Sequence, residues 1–168
     1  MAKKEYSLFQ SSIQKVASSR PGAWFFSLTE HHFDKAVLKL TNNKATMTRI
    51  LAGFPVVMLT STGAKSGLPR EVPLLGIQDE SEPNRIAFIA SNWGKGNQPA
   101  WHYNLITNPR ATVSISGQIG DYIAHEADGE EYEKYWQSAL DIHKGYSLYQ
   151  ERAGDRHIPI MVMTPVEA

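Results

Sequence analysis

Phe54–Ile77 reads FPVVMLTSTGAKSGLPREVPLLGI, and the texture of this stretch decides the fold class. Phe54 to Ser61 is apolar and β-branched, which suits a buried strand. Thr60, Ser61, Thr62 and Gly63 close it, and Lys65, Ser66 and Gly67 make a turn. Glu71 to Ile77 then reads as a second strand. Pro73 marks it as an edge or a bulge, because proline has no N–H for a central ladder.

Downstream the β texture continues. Arg85 to Ser91 (RIAFIAS) is a third strand after the turn-like DESEPN. Ala111 to Ser116 and Gln118 to Ala127 predict a hairpin around Gly117, and Ile158 to Thr164 a last strand. Helices interrupt. Pro99 to Ile106 is short. A longer one begins near Asp128-Gly129 and runs through EEYEKYWQSALDIH, with acidic residues in its first turn. A further turn is expected at Ser147 to Arg152. Six strands with few, short helices do not make a wound βαβ sheet. They predict an α+β, mainly β chain: a small antiparallel barrel with helices on its rim.

Upstream, residues 1–52 read as an extension and 53–168 as the barrel domain. Residues 1–20 are polar and serine-rich, and Pro21-Gly22 is a break. Phe33, Val37, Leu38 and Leu40 suggest an amphipathic helix from Ala23 to Leu40, with a short piece from Ala45 to Leu51. Such a segment packs on the domain, covers an opening, or touches a membrane surface.

Composition narrows the function classes. The chain has 168 residues and 17 basic against 17 acidic side chains, with 42% apolar residues. This is one ordinary globular domain. A nucleic-acid binder would carry a basic surface, so no nucleic-acid partner is expected. The absence of cysteine removes disulfides, thiolate metal sites and cysteine nucleophiles. The histidines show no metal-ligand spacing, so no metal is expected. The longest apolar runs, Phe54–Leu59 and Ile158–Met163, are strand-sized and far short of the ~18 residues a spanning helix needs. A cytoplasmic protein is expected, with peripheral membrane contact through the N-terminal segment left open.

Three stretches carry chemistry. In Leu59–Pro73, glycines at 63 and 67 should allow positive φ and bring amides close to an anion, with Lys65, Arg70 and several hydroxyls around them. A solvated hairpin turn explains the same residues equally well. It is not a Walker loop, since Ala64 stands where a glycine must precede the lysine. In Ala90–Asn108, a glycine-rich loop follows a strand and leads into a helix with Trp101, His102, Tyr103 and Asn104. Such a loop can clasp a flat heterocycle; a connecting loop with a core Trp101 is the plainer alternative. In Ile142–Arg156, Tyr146 and Tyr149 share a helix face. Paired phenols line a substrate pocket, donate a proton, or simply stand at the surface.

Taken together, LTSTGAKSGLPREVPLL, ASNWG, PAWHYNLITNP, GYSLYQ and RHIPIMVMTP resemble the deazaflavin-dependent nitroreductase family, whose members use coenzyme F420. The resemblance runs from about Asp34 to Pro165. It implies a split β-barrel of the FMN-binding kind and hydride transfer from reduced F420 to a quinone, enone or nitro compound. It implies a phosphate and acidic tail over Lys65, Ser66 and Arg70, in the turn that Thr62 and Gly63 open. Ser91 and Asn92 would approach the ring, and Trp101 and Asn104 match cofactor-site positions. Tyr146 and Tyr149 match acceptor-side tyrosines, and Tyr149 or the Ser91 hydroxyl is the candidate proton donor. Three positions depart from the family pattern: Ala64 replaces an arginine, Asn92-Trp93 the usual lysine or small-residue loop after the alanine–serine pair, and His143 a third tyrosine. The same barrel could hold FMN, or act without catalysis as a carrier of an apolar or anionic ligand. Small barrels of this kind often pair, which by analogy leaves a homodimer open.

Overall fold

The computed structural model describes residues 56–78, 82–115 and 117–166. The expected extension over 1–52, with its two helical pieces, lies outside these, as do Phe54, Pro55 and Ser116. The elements are β1 (Val56–Thr62), β2 (Pro69–Leu75), β3 (Ile77–Gln78), β4 (Ile86–Ile89), α1 (Ala100–Thr107), β5 (Arg110–Ile115), β6 (Gln118–Glu126), α2 (Gly129–Ile142), α3 (Gly145–Ala153) and β7 (Ile160–Pro165). Every predicted strand and helix within the described residues is present, with ends shifted by a few residues.

One difference explains the barrel. The expected strand Glu71–Ile77 is two strands, interrupted at Gly76. The sheet order is β2-β1-β5-β6-β7-β4-β3, all pairs antiparallel. β2 and β3 are therefore the two outer strands of the sheet, yet only Gly76 separates them in the chain. A sheet whose edges lie one residue apart must curl back on itself, giving the split β-barrel. Gly76 suits the bend for lack of a side chain: a Cβ there would come within 3.3 Å of both Val57 and Ile86. Pro73 sits in β2, an outer strand, as expected.

β4 and β7 are buried on both faces, which is why they read as unbroken apolar runs. Alternate residues serve two cores. Ile86, Phe88, Met161 and Met163 point into the barrel with Val57, Leu59 and Val113, and Trp101 and Leu105 of α1 pack there. Ala87, Ile89, Ile160 and Val162 face outward against Tyr135, Trp136 and Ala139 of α2 and Tyr146 and Tyr149 of α3. Each fully buried large side chain, such as Leu59 or Phe88, contributes about 1.5–3 kcal/mol. Glu130 and Glu131 occupy the first turn of α2, where the helix dipole favours them. Gly117 turns the β5–β6 hairpin at φ 88°.

Candidate functional site

The β1–β2 turn is more tightly self-bonded than its glycines suggest. Gly63 N–H donates to the Leu68 carbonyl (2.9 Å) and Gly67 N–H to the Gly63 carbonyl (2.8 Å). Leu68 N–H reaches Ser66 Oγ at 3.3 Å. Gly67 has φ 66°, but Gly63 does not take positive φ. Gly63 instead sits in a tight place: a Cβ would stand 2.6 Å from Ser66 Oγ, forcing that side chain to turn away, and 3.2 Å from the Leu68 carbonyl oxygen. The expectation that both glycines serve positive φ is corrected accordingly. The glycines' own amides are bonded inside the turn and do not face an anion. Among the described residues, the Lys65 and Ser66 amides have no such partner.

Lys65, Ser66 and Arg70 are exposed. Arg70 Nη2 donates to Ser66 Oγ at 3.3 Å. Neither Lys65 nor Arg70 makes an ion pair with a described residue. Thr62 ends β1 half-buried. Two cations without counter-ions beside hydroxyls fit an anionic tail.

Asn104 joins this turn to the second stretch. Its side chain is buried on α1; Oδ1 accepts the Ala64 N–H at 2.9 Å, and Nδ2 donates to Ser61 Oγ at 3.2 Å. Trp101, one turn earlier, points into the barrel. Its ring meets Phe88 edge-on, with centroids 6.1 Å apart. The plainer reading of a core Trp101 describes its position.

After β4 the chain makes a left-handed turn: φ is 47° at Asn92, 59° at Trp93 and 77° at Gly94. Positive φ at a tryptophan is costly, and such strain persists where surroundings over-determine it. Here they do. Gly94 N–H bonds the Ser91 carbonyl (2.9 Å) and Lys95 N–H the Asn92 carbonyl (3.0 Å). Asn92 Nδ2 donates to the Asn97 carbonyl at 2.8 Å. Gly94 lies so close to α3 that a Cβ would stand 2.7 Å from the Tyr149 carbonyl oxygen.

That contact brings the third stretch in. Trp93 and Tyr149 meet edge-to-face at 5.6 Å, and Tyr146 and Tyr149 at 5.9 Å. His143 completes the group: its Nε2 lies 3.3 Å from the Tyr149 hydroxyl oxygen. Burial pushes the imidazole down to about 4, so it is neutral at physiological pH. Both tyrosines are buried in the core under α3 and are not at the surface. The structure thus brings all three stretches together, with the Ala90–Asn108 segment touching both others.

Sequence reasoning missed Arg156, which binds the carbonyls of Ala90 and Ser91. Nothing local marks it, because its partners lie 66 and 65 residues away. A cavity of about 520 Å³ opens elsewhere, lined by Glu126, Asp128, Glu133, Tyr132 and His157. Its carboxylates would repel an anionic coenzyme, and no predicted site residue lines it. Among the described residues no group of three or more His, Cys, Asp or Glu is placed to hold a metal. Nor is any of their helices long and apolar enough to cross a membrane.

The family profile described as F420H(2)-dependent quinone reductase matches residues 34–165. The chain belongs to this family. It is 30% identical over 122 residues to an F420H(2)-dependent quinone reductase of Mycobacterium tuberculosis, covering 69% of this chain and 77% of the relative. A second protein of that organism, also named as such a reductase, is 29% identical over 121 residues, covering 70% of this chain and 98% of its own. Among solved structures, an F420-H2 dependent reductase, FDR-A, superposes with a TM-score of 0.59 at 35% identity, over 65% of this chain and 93% of that one. A chain described as a domain-swapped dimer gives 0.61 at 31%, over 85% and 98%.

Proposed function

We propose that this family member passes a hydride from reduced coenzyme F420 to a quinone. Family membership over residues 34–165 supports the reaction class. The observation that carries the site is the Asn104–Ala64 hydrogen bond, which fastens the cationic turn to the helix following the Ser91–Gly94 loop. One site can then hold an anionic tail at one end and a flat ring at the other.

The bound coenzyme supplies the hydride. The protein must hold donor and acceptor carbons about 3–3.5 Å apart and keep water out. Lys65, Arg70 and Ser66 hold the phosphate and acidic tail, with Thr62 and Gly63 shaping the turn. Ser91 and Asn92 meet the ring edge. Asn104 and Trp101 act from α1, Asn104 by fixing the turn and Trp101 by closing the barrel beneath it. Tyr146, Tyr149 and Trp93 wall the acceptor side. A quinone that takes a hydride needs one proton to become the hydroquinone; the Tyr149 phenol or the Ser91 hydroxyl protonates or hydrogen-bonds the acceptor oxygen, and solvent restores any proton given.

We also propose that residues 1–52 are a separate extension that modifies acceptor access in the cytoplasm or at a membrane surface, and that two copies pair. A solved relative described as a domain-swapped dimer supports the pairing. Titration with F420 and with FMN tests the coenzyme, and reduced F420 mixed with a panel of quinones, enones and nitroaromatics tests the acceptor. Saturable F420 binding with quinone-dependent oxidation is expected. Release of FMN from the purified protein would overturn the coenzyme assignment.

A further inference from the structure

Arg156 lies between α3 and β7 and reaches across to the end of β4. Nη2 donates to the Ser91 carbonyl at 2.6 Å, and Nη1 to the Ala90 carbonyl at 3.3 Å. Nη1 also bonds Gln98 Oε1, and the His157 carbonyl lies 3.4 Å away. Nε is buried without a hydrogen-bond partner. No described carboxylate pairs with the group. This guanidinium is a cation held by neutral oxygens, so its charge is not cancelled locally.

The geometry of the peptide bond says what this does. No peptide among the described residues is cis. In a trans peptide the C=O and the N–H point in opposite directions. The Ala90 and Ser91 carbonyls both point at Arg156. The Ser91 and Asn92 N–H groups, belonging to the same two peptides, therefore both point away from it. Neither N–H has a partner among the described residues, although Ser91 is only 9% exposed. Buried backbone donors are nearly always paired, so the unpaired Ser91 N–H at this strand end asks for an acceptor from outside, and the N–H of the half-buried Asn92 beside it can share that acceptor. The backbone is right-handed at Ser91 (φ −66°, ψ −32°) and left-handed at Asn92 (φ 47°). That alternation makes successive N–H groups converge on an anion or a carbonyl. A cation pulling on a peptide's C=O also strengthens the N–H of the same peptide as a donor.

We propose that Arg156 is a positioning residue that orients and polarises these two peptides, so that the Ser91 and Asn92 amides form a donor pair for the carbonyl or anionic edge of a bound ring. The proposal rests on the coenzyme reading above. Such a pair, with a fixed cation behind it, favours the form of the ring richer in electrons. It therefore holds the reduced coenzyme more tightly than the oxidised one.

The test measures the affinity of reduced and oxidised F420 for the parent, R156K and R156Q. R156Q should lose about tenfold more affinity for the reduced form than for the oxidised form. That ratio corresponds to a potential of the bound coenzyme about 30 mV lower for a two-electron couple. R156K should recover part of the ratio, since it keeps the charge without the fork. A second arm needs no coenzyme: in the ligand-free protein, the Ser91 and Asn92 amide protons should shift upfield by NMR in both variants, while β6 amides stay in place. An unchanged affinity ratio in folded R156Q, or unmoved Ser91 and Asn92 amides, overturns the proposal. If R156Q fails to fold, R156K carries both arms. If the parent binds neither form, the coenzyme reading fails, and the amide shifts still decide whether Arg156 polarises the two peptides.

Discussion

His143 Nε2 lies 3.3 Å from the Tyr149 hydroxyl oxygen, inside a group of rings that also holds Tyr146. Burial lowers the His143 pKa from 6.5 to about 4. Between those values the unfolded chain binds a proton that the folded chain refuses. The His143 contribution to stability is therefore fully present above about pH 6.5, is lost as pH drops towards about 4, and at lower pH penalises the fold by a constant amount. A shift of this size corresponds to about 3 kcal/mol. His102 is lowered by burial as well and acts in the same direction. Urea midpoints measured from pH 7 to 4 should drop less in H143Q than in the parent. An identical slope would show that His143 protonates freely in the folded state.

Asn104 is the fastening between the turn and α1. Asn104→Ala leaves the buried Ser61 hydroxyl without the amide it now accepts from, and frees the Ala64 N–H. An unsatisfied buried group costs about 1–3 kcal/mol, enough for a Tm loss of several degrees. F420 affinity should fall as well, because the cationic turn loses its anchor. Thermal melts and a coenzyme titration read the two effects separately. Full F420 affinity in N104A would detach the turn from the site.

Gly67 and Gly94 both take positive φ, but only Gly94 is crowded. Gly67→Ala meets nothing within 4 Å and should cost about 1 kcal/mol from backbone strain alone. Gly94→Ala adds a clash with the α3 backbone and should cost more than 3 kcal/mol, or prevent folding. Equilibrium unfolding of the two variants compares them directly. Equal costs would mean that the Gly94 loop is free to move off α3.

Lys65 and Arg70 are exposed and lack ion pairs with described residues. Removing both to alanine should leave Tm within a degree or two and weaken F420 binding by ten- to a hundredfold, as charge-assisted contacts contribute about 1.5–3 kcal/mol each before solvent screening. Added salt should weaken binding to the parent more steeply than to the double variant.

The strands were legible because their burial writes itself into the residues. β4 and β7 are covered on both faces and show unbroken apolar runs, and Pro73 announced an outer strand. The break at Gly76 was not legible: EVPLLGI reads as one strand, and only the pairing of its two parts with β1 and β4 divides it. The site was legible where chemistry clusters along the chain, as in Lys65, Ser66 and Arg70, or Tyr146 and Tyr149. It was not legible where a role depends on a distant partner. Arg156 looks like any surface arginine until Ala90 and Ser91 are seen beside it. Gly63 looks like a conformational glycine until the Ser66 hydroxyl is seen 2.6 Å from the place its Cβ would take.

Hydride transfer to a quinone is tested by mixing the purified protein with reduced F420 and a quinone and following coenzyme oxidation against quinone concentration. Saturable, protein-dependent oxidation is expected, falling steeply in the Lys65→Ala, Arg70→Ala double variant. No saturable binding of F420, in either oxidation state, would contradict it.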